Sequence, residues 1–158
     1  MLPVLMAAFL TLASCSRPTP TMPPANPGAA PSALVPTASD VALIIDSGST
    51  NVAGYRLFVH EDGRATLDEG DAPHPRLDPK LVQRFFADLR AAGALNRLPG
   101  YHCMKSASFG TTTQVAYRGV MSSDLSCSTG AGSALAKDAA ELGRAAGLAG
   151  RPRRDIGE

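Results

Sequence analysis

The chain has 158 residues, a formal net charge of +1, and 44% hydrophobic residues with no tryptophan. A charge so close to zero removes the electrostatic basis for nucleic-acid binding. Once a compositionally biased N-terminal part is set aside, roughly 115 to 120 residues are left, enough for one domain around one core.

The chain opens on an apolar run, Val4 to Leu12, interrupted only by Thr11. The run is too short to cross roughly 30 Å of hydrocarbon, and it fits the apolar region of a secretory signal peptide. Small residues Ala13 and Ser14 precede Cys15. Leu12-Ala13-Ser14-Cys15 resembles the lipobox of bacterial lipoproteins. The resemblance implies cleavage after residue 14, lipid on the Cys15 thiol, and acylation of the new amino group. Two or three acyl chains make a stable membrane anchor. Ser16, rather than Asp, follows the cysteine. By the same resemblance that favours the outer membrane, where the envelope has one.

Residues 15–39 are rich in Pro, Ala, Thr and Ser, with Pro18, Pro20, Pro23, Pro24, Pro27, Pro31 and Pro36. No apolar period survives there. Proline fixes φ and removes donors, so the stretch is expected to be an extended tether of roughly 3.1 Å per residue, reaching on the order of 70 Å.

Residues 40–150 are expected to form one α+β domain of order β-β-β-α-β-β-α. An antiparallel sheet of about five to six strands would carry two helices on one face. Val41 to Ile45 reads as a strand ending at Asp46-Ser47-Gly48-Ser49. Gly54 to His60 follows, with Tyr55, Leu57 and Val59 on one face and Arg56, Phe58 and His60 on the other. Glu61-Asp62-Gly63-Arg64 is a hairpin turn, because Asp-Gly tolerates positive φ, and Ala65 to Leu67 begins a third strand. Asp78-Pro79 is an N-cap followed by proline at the first helical position. The stripe Leu81, Val82, Phe85, Phe86 and Leu89 then predicts an amphipathic helix ended by Gly93. Thr111 to Tyr117 and Val120 to Cys127 predict two strands around an Arg118-Gly119 turn. After a loop from Ser128 to Gly132, Leu135, Ala139, Leu142 and Ala146 line a second helix closed by Gly147. Both helices end in Arg-Ala-Ala-Gly, Arg90 to Gly93 and Arg144 to Gly147, a hint of a doubled unit. Residues 151–158 are expected to be a basic flexible tail.

Cys15 is assigned to lipid, which leaves Cys103 and Cys127 as a pair in an oxidising compartment. A bridge closing about 25 residues stabilises by roughly 3 kcal/mol in the chain-entropy model. The alternative, two thiolates with His102 around a metal, lacks a fourth ligand.

Ile44-Ile45-Asp46-Ser47-Gly48-Ser49-Thr50-Asn51 carries the strongest chemical suggestion. It resembles the active-site turn of aspartic peptidases, where the Asp carboxylate activates water. That chemistry needs two aspartates sharing a proton, and the chain carries one such copy. The same residues resemble the first phosphate loop of the actin-like ATPase and apyrase superfamily. As a plain loop, Asp46 or Ser47 would bond to backbone, Gly48 would permit the turn, and Asn51 would cap it. Lys105 to Thr112 is a second polar, glycine-containing loop. His60, His74 and His102 have no companion at ligand spacing.

No complete catalytic set emerges, and no cofactor or metal is implied. The expectation is a lipid-anchored, exported, non-enzymatic module, resembling small bacterial lipoproteins in layout. It would meet the membrane through Cys15 and bind a protein or other envelope component. Asp46, Ser47, Ser49, Asn51, Lys105 and Ser108 are the candidate binding residues. The alternative is a hydrolase centred on Asp46, either peptidase-like or phosphate-binding.

Overall fold

The computed structural model describes residues 35–67, 76–100, 103–104 and 110–152. Cys15, His74, His102, Lys105 and Ser108 lie outside them. Five strands form one antiparallel sheet: β1 (Val41–Asp46), β2 (Tyr55–His60), β3 (Ala65–Leu67), β4 (Thr113–Tyr117) and β5 (Val120–Met121). Their order across the sheet is β3-β2-β1-β4-β5. Helix α1 (Pro79–Ala92) lies between β3 and β4 in the chain, and α2 (Gly130–Ala145) follows β5. The α+β class and the element order are those expected from the sequence.

The β-branched run of β1 makes it the central strand. Its register places Ile44 opposite Leu57 of β2 and Val115 of β4, and Ala42 opposite Val59 and Tyr117. All six side chains are buried on one face, in a core shared with Phe85, Phe86, Leu135 and Leu142 of the helices. Each fully buried Leu, Ile or Phe contributes roughly 1.5–3 kcal/mol, so this face supplies most of the folding drive. Phe86 meets Phe85 and Tyr117 edge to face, with centroids 5.7 and 5.9 Å away.

The opposite face carries a second cluster of Leu43, Phe58 and Ala116, against which Val35, Val41, Ile45 and Met121 pack. Val35 belongs to the stretch expected to be tether. The Gly119 N–H donates to Pro36 O at 2.8 Å, and the Tyr117 hydroxyl donates to Ser39 O at 2.8 Å. Residues 35–39 are therefore fastened to the β4–β5 hairpin, and the folded part begins before residue 40.

Helix α1 starts as its sequence requires. The Asp78 carboxylate accepts the Lys80 N–H at 2.8 Å, and Pro79 supplies the preset φ of the first turn. Both Arg-Ala-Ala-Gly runs are helix stops. Gly93 and Gly147 have φ of +66° and +71°, and their N–H groups donate to Arg90 O and Arg144 O. Shared capping chemistry accounts for the echo without a doubled unit.

Two boundaries differ from expectation. The last strand stops at Met121, not Cys127. The Ser122 hydroxyl accepts the Val115 N–H at 3.0 Å, and Asp124 Oδ1 accepts those of Thr113 and Ser126 at 3.1 and 3.0 Å. Short polar side chains thus take the backbone groups that a strand ladder would use. Helix α2 begins at Gly130, inside the expected loop. Glycine is a poor helix former, so Gly-Ala-Gly-Ser hid this first turn.

The helices are joined at their surface seam. Arg84 of α1 pairs with the buried Asp138 of α2 (Nε to Oδ1, 2.7 Å) and also with Glu141. Cys103 and Cys127 lie at disulfide distance, with Cα atoms 5.9 Å apart, tying the segment before β4 to the start of α2. No helix among the described residues is long and apolar enough to cross a membrane.

Candidate functional site

The β1–β2 hairpin is closed by residues 47–54, and its shape depends on two apposed glycines. Gly48 has φ +63°, and a Cβ there would come under 3.0 Å from Gly54 N, Val52 O and Ala53 C. A Cβ on Gly54 would lie 2.6 Å from Asp46 O. Only glycine lets the two limbs touch. The Gly48 N–H donates to Asp46 Oδ1 at 2.8 Å, so Asp46 caps its own turn.

Ser47 acts as a clasp. Its N–H donates to Thr112 O at 3.0 Å, and its Oγ accepts the Thr112 N–H at 2.9 Å. The Ser49 N–H donates to Val52 O at 2.9 Å, closing the tip, while the Ser49 Oγ is buried. The Asp46 side chain and main chain, rather than the exposed Asn51, therefore close the turn. The far side of the loop is held by the C-terminal segment, where the Ala53 N–H donates to Arg151 O at 2.9 Å and Val52 bridges to Pro152. Arg151 and Pro152, expected to begin a flexible tail, are part of this bracing.

Between this loop, α2 and residues 149–150 lies a cleft of about 190 Å³. Asp46, Tyr55, Thr111 and Arg144 provide its polar lining, and Asp46 is the only acidic side chain among the described residues that line it. The register explains the first pair, since Asp46 at the end of β1 stands opposite Tyr55 at the start of β2. Tyr55 reaches α2 because residue 143 is glycine. A Cβ on Gly143 would overlap the Tyr55 hydroxyl. Burial, reinforced by the Asp46 charge and opposed by Arg144, pushes the Tyr55 phenol up to about 12. It is consequently a neutral O–H at physiological pH. Arg144 is exposed and forms no ion pair among the described residues.

The cleft thus sets an acid, a neutral phenol and a guanidinium around a space of small-molecule dimensions. Such a set can hold a small polar group through charge and hydrogen bonds. No cluster of His, Cys, Asp and Glu among the described residues could hold a metal ion. Of the residues named from sequence, Asp46 lines the cleft and Ser47 and Ser49 build its loop. Tyr55 and Arg144 were not named. Strand pairing of the hairpin could have found Tyr55, and a glycine inside α2 was the one signal for the contact beside Arg144. No known protein family, curated protein or solved structure matches the chain.

Proposed function

We propose that this is an exported lipoprotein, anchored by acyl chains on Cys15, whose domain binds a protein or other envelope component without catalysing a reaction. The observation that carries the anchor is Leu12-Ala13-Ser14-Cys15 behind the apolar run Val4 to Leu12. What supports a binding role is the cleft at the Asp46 end of β1. Ser16 supports placement in the outer membrane where one exists.

A second function, a hydrolase centred on Asp46, is favoured by the presence of that carboxylate in the cleft. A peptidase of that kind would need a second aspartate, which a partner copy would have to supply. The two are separated by assaying purified wild-type and Asp46→Asn protein against peptide and phosphoester substrates. The binding module gives no turnover that depends on Asp46. Turnover that disappears in Asp46→Asn overturns it.

A further inference from the structure

The seam between α1 and α2 holds a carboxyl that is only half satisfied. Asp138 is 2% exposed. Its Oδ1 accepts the Arg84 Nε–H at 2.7 Å, but no donor among the described residues reaches its buried Oδ2. Arg84 is divided, since its Nη2 donates to Glu141 and its side chain is half exposed. A charged oxygen buried without a donor is costly.

Asp88 stands one helical turn after Arg84, on the same face of α1. It is half-buried, and its carboxyl is within hydrogen-bond reach of Asp138. Two ionised carboxylates offer only acceptors and cannot bond, and their charges repel. A single proton removes both difficulties by turning Oδ2 into a donor. The other charges around the seam have their own settings. On α1, Arg90 pairs with Glu61, and Lys80 lies in the first turn with its N–H on Asp78. On α2, Lys137 and Arg144 act on Glu141. Strand β4 packs on α2, and its one titratable side chain, Tyr117, donates to Ser39 O. Tyr55 of β2 meets α2 at Gly143.

We propose that the α1–α2 seam is a pH-sensitive clasp, in which Asp138 Oδ2 donates a proton to the Asp88 carboxylate and its release sets two carboxylates against each other. Burial and Asp88 both raise Asp138 above 3.8, against the pull of Arg84. The clasp is therefore fully closed below 3.8 and is lost as pH rises through the raised value. Helix α2 also carries Ala140 and Arg144 to the cleft, so the clasp acts on one of its walls. The proposal rests neither on the lipid anchor nor on the cleft being a binding site.

The test is a 13C NMR titration of carboxyl-labelled aspartates in the detergent-solubilised full chain, from about pH 3 to about pH 8. Asp138 should titrate above 3.8, and the Asp88 carboxyl carbon should move in the same step. Asp88→Asn keeps the shape, removes the charge, and offers an amide donor to ionised Asp138. It should lower the Asp138 midpoint by at least about half a pH unit. Glu141→Gln removes an equal charge beside Arg84 and should move that midpoint less. In urea denaturation, Asp88→Asn should gain on wild type as pH rises through the interval.

A midpoint for Asp138 at or below 3.8 overturns the proposal. So does a midpoint that Asp88→Asn leaves in place, because burial alone would then hold the proton. An equal shift in Glu141→Gln would assign the effect to net charge and also overturn it. Stabilities of wild type and Asp88→Asn that run parallel across the interval would show that no clasp exists.

Discussion

The apposition of Gly48 and Gly54 makes a quantitative prediction. Gly48 and Gly147 both have positive φ, +63° and +71°, so alanine at either position bears left-handed strain. That strain costs about 1–2 kcal/mol. Their surroundings differ. A Cβ at Gly147 meets nothing within 4 Å, whereas one at Gly48 meets three backbone atoms under 3.0 Å. Backbone atoms cannot rotate aside, and overpacking of this kind costs about a further 1–3 kcal/mol. At about 4 °C per kcal/mol for a domain of this size, Gly147→Ala lowers Tm by about 4–8 °C. Gly48→Ala lowers it by about 8–20 °C on the same scale. Thermal unfolding followed by far-UV circular dichroism, with the disulfide intact, measures both. Equal losses would refute the tight apposition, because strain alone would then explain Gly48.

Three further effects follow from the core, the cysteine pair and the helix seam. Phe86→Ala removes a fully buried ring that packs on Phe85 and Tyr117, and urea denaturation should show a loss of about 3–5 kcal/mol. Cys103→Ser with Cys127→Ser, a sequence separation of 24, should cost roughly 3 kcal/mol. Wild-type protein exposed to alkylating reagent without reductant should show neither thiol labelled. Asp138 is held above its ordinary value of 3.8 by burial, which outweighs the Arg84 guanidinium, and Asp88 adds to the rise. The folded state therefore keeps this proton at pH values where the unfolded chain has lost it. The stability contribution of Asp138 falls as pH rises from near 3.8 through the raised value. Wild type should lose stability relative to Asp138→Asn over that interval, and a relative gain would contradict the burial of this carboxyl.

How much of this was legible in the residues depends on the signal each element carries. Period two placed Leu57 and Val59 opposite Phe58, and the structure buries them on opposite faces of the sheet. The stripe from Leu81 to Leu89, with Asp78-Pro79 before it and Gly93 after, located α1 to its caps. The last strand was overextended because Ser122 and Asp124 look neutral in an apolar pattern, yet their oxygens compete for the ladder's N–H groups. The start of α2 is hidden because Gly130 and Gly132 in its first turn are poor helix formers. Within the cleft, Asp46 was visible from the turn it caps. Arg144 was not, because helical periodicity identifies the buried face and is silent about what an exposed side chain reaches. Val35 to Ser39 read as tether on composition, although the hydrogen bonds from Gly119 and Tyr117 fasten the stretch to the domain.

The most direct test of the proposed envelope role is the intact mass and N-terminal fragment spectrum of the protein recovered from cell membranes. The proposal requires a chain that begins at Cys15 and carries diacylglycerol on its sulfur, and a Cys15→Ser variant that carries no lipid. A chain retaining Met1 to Ser14 with an unmodified thiol at Cys15 would contradict it.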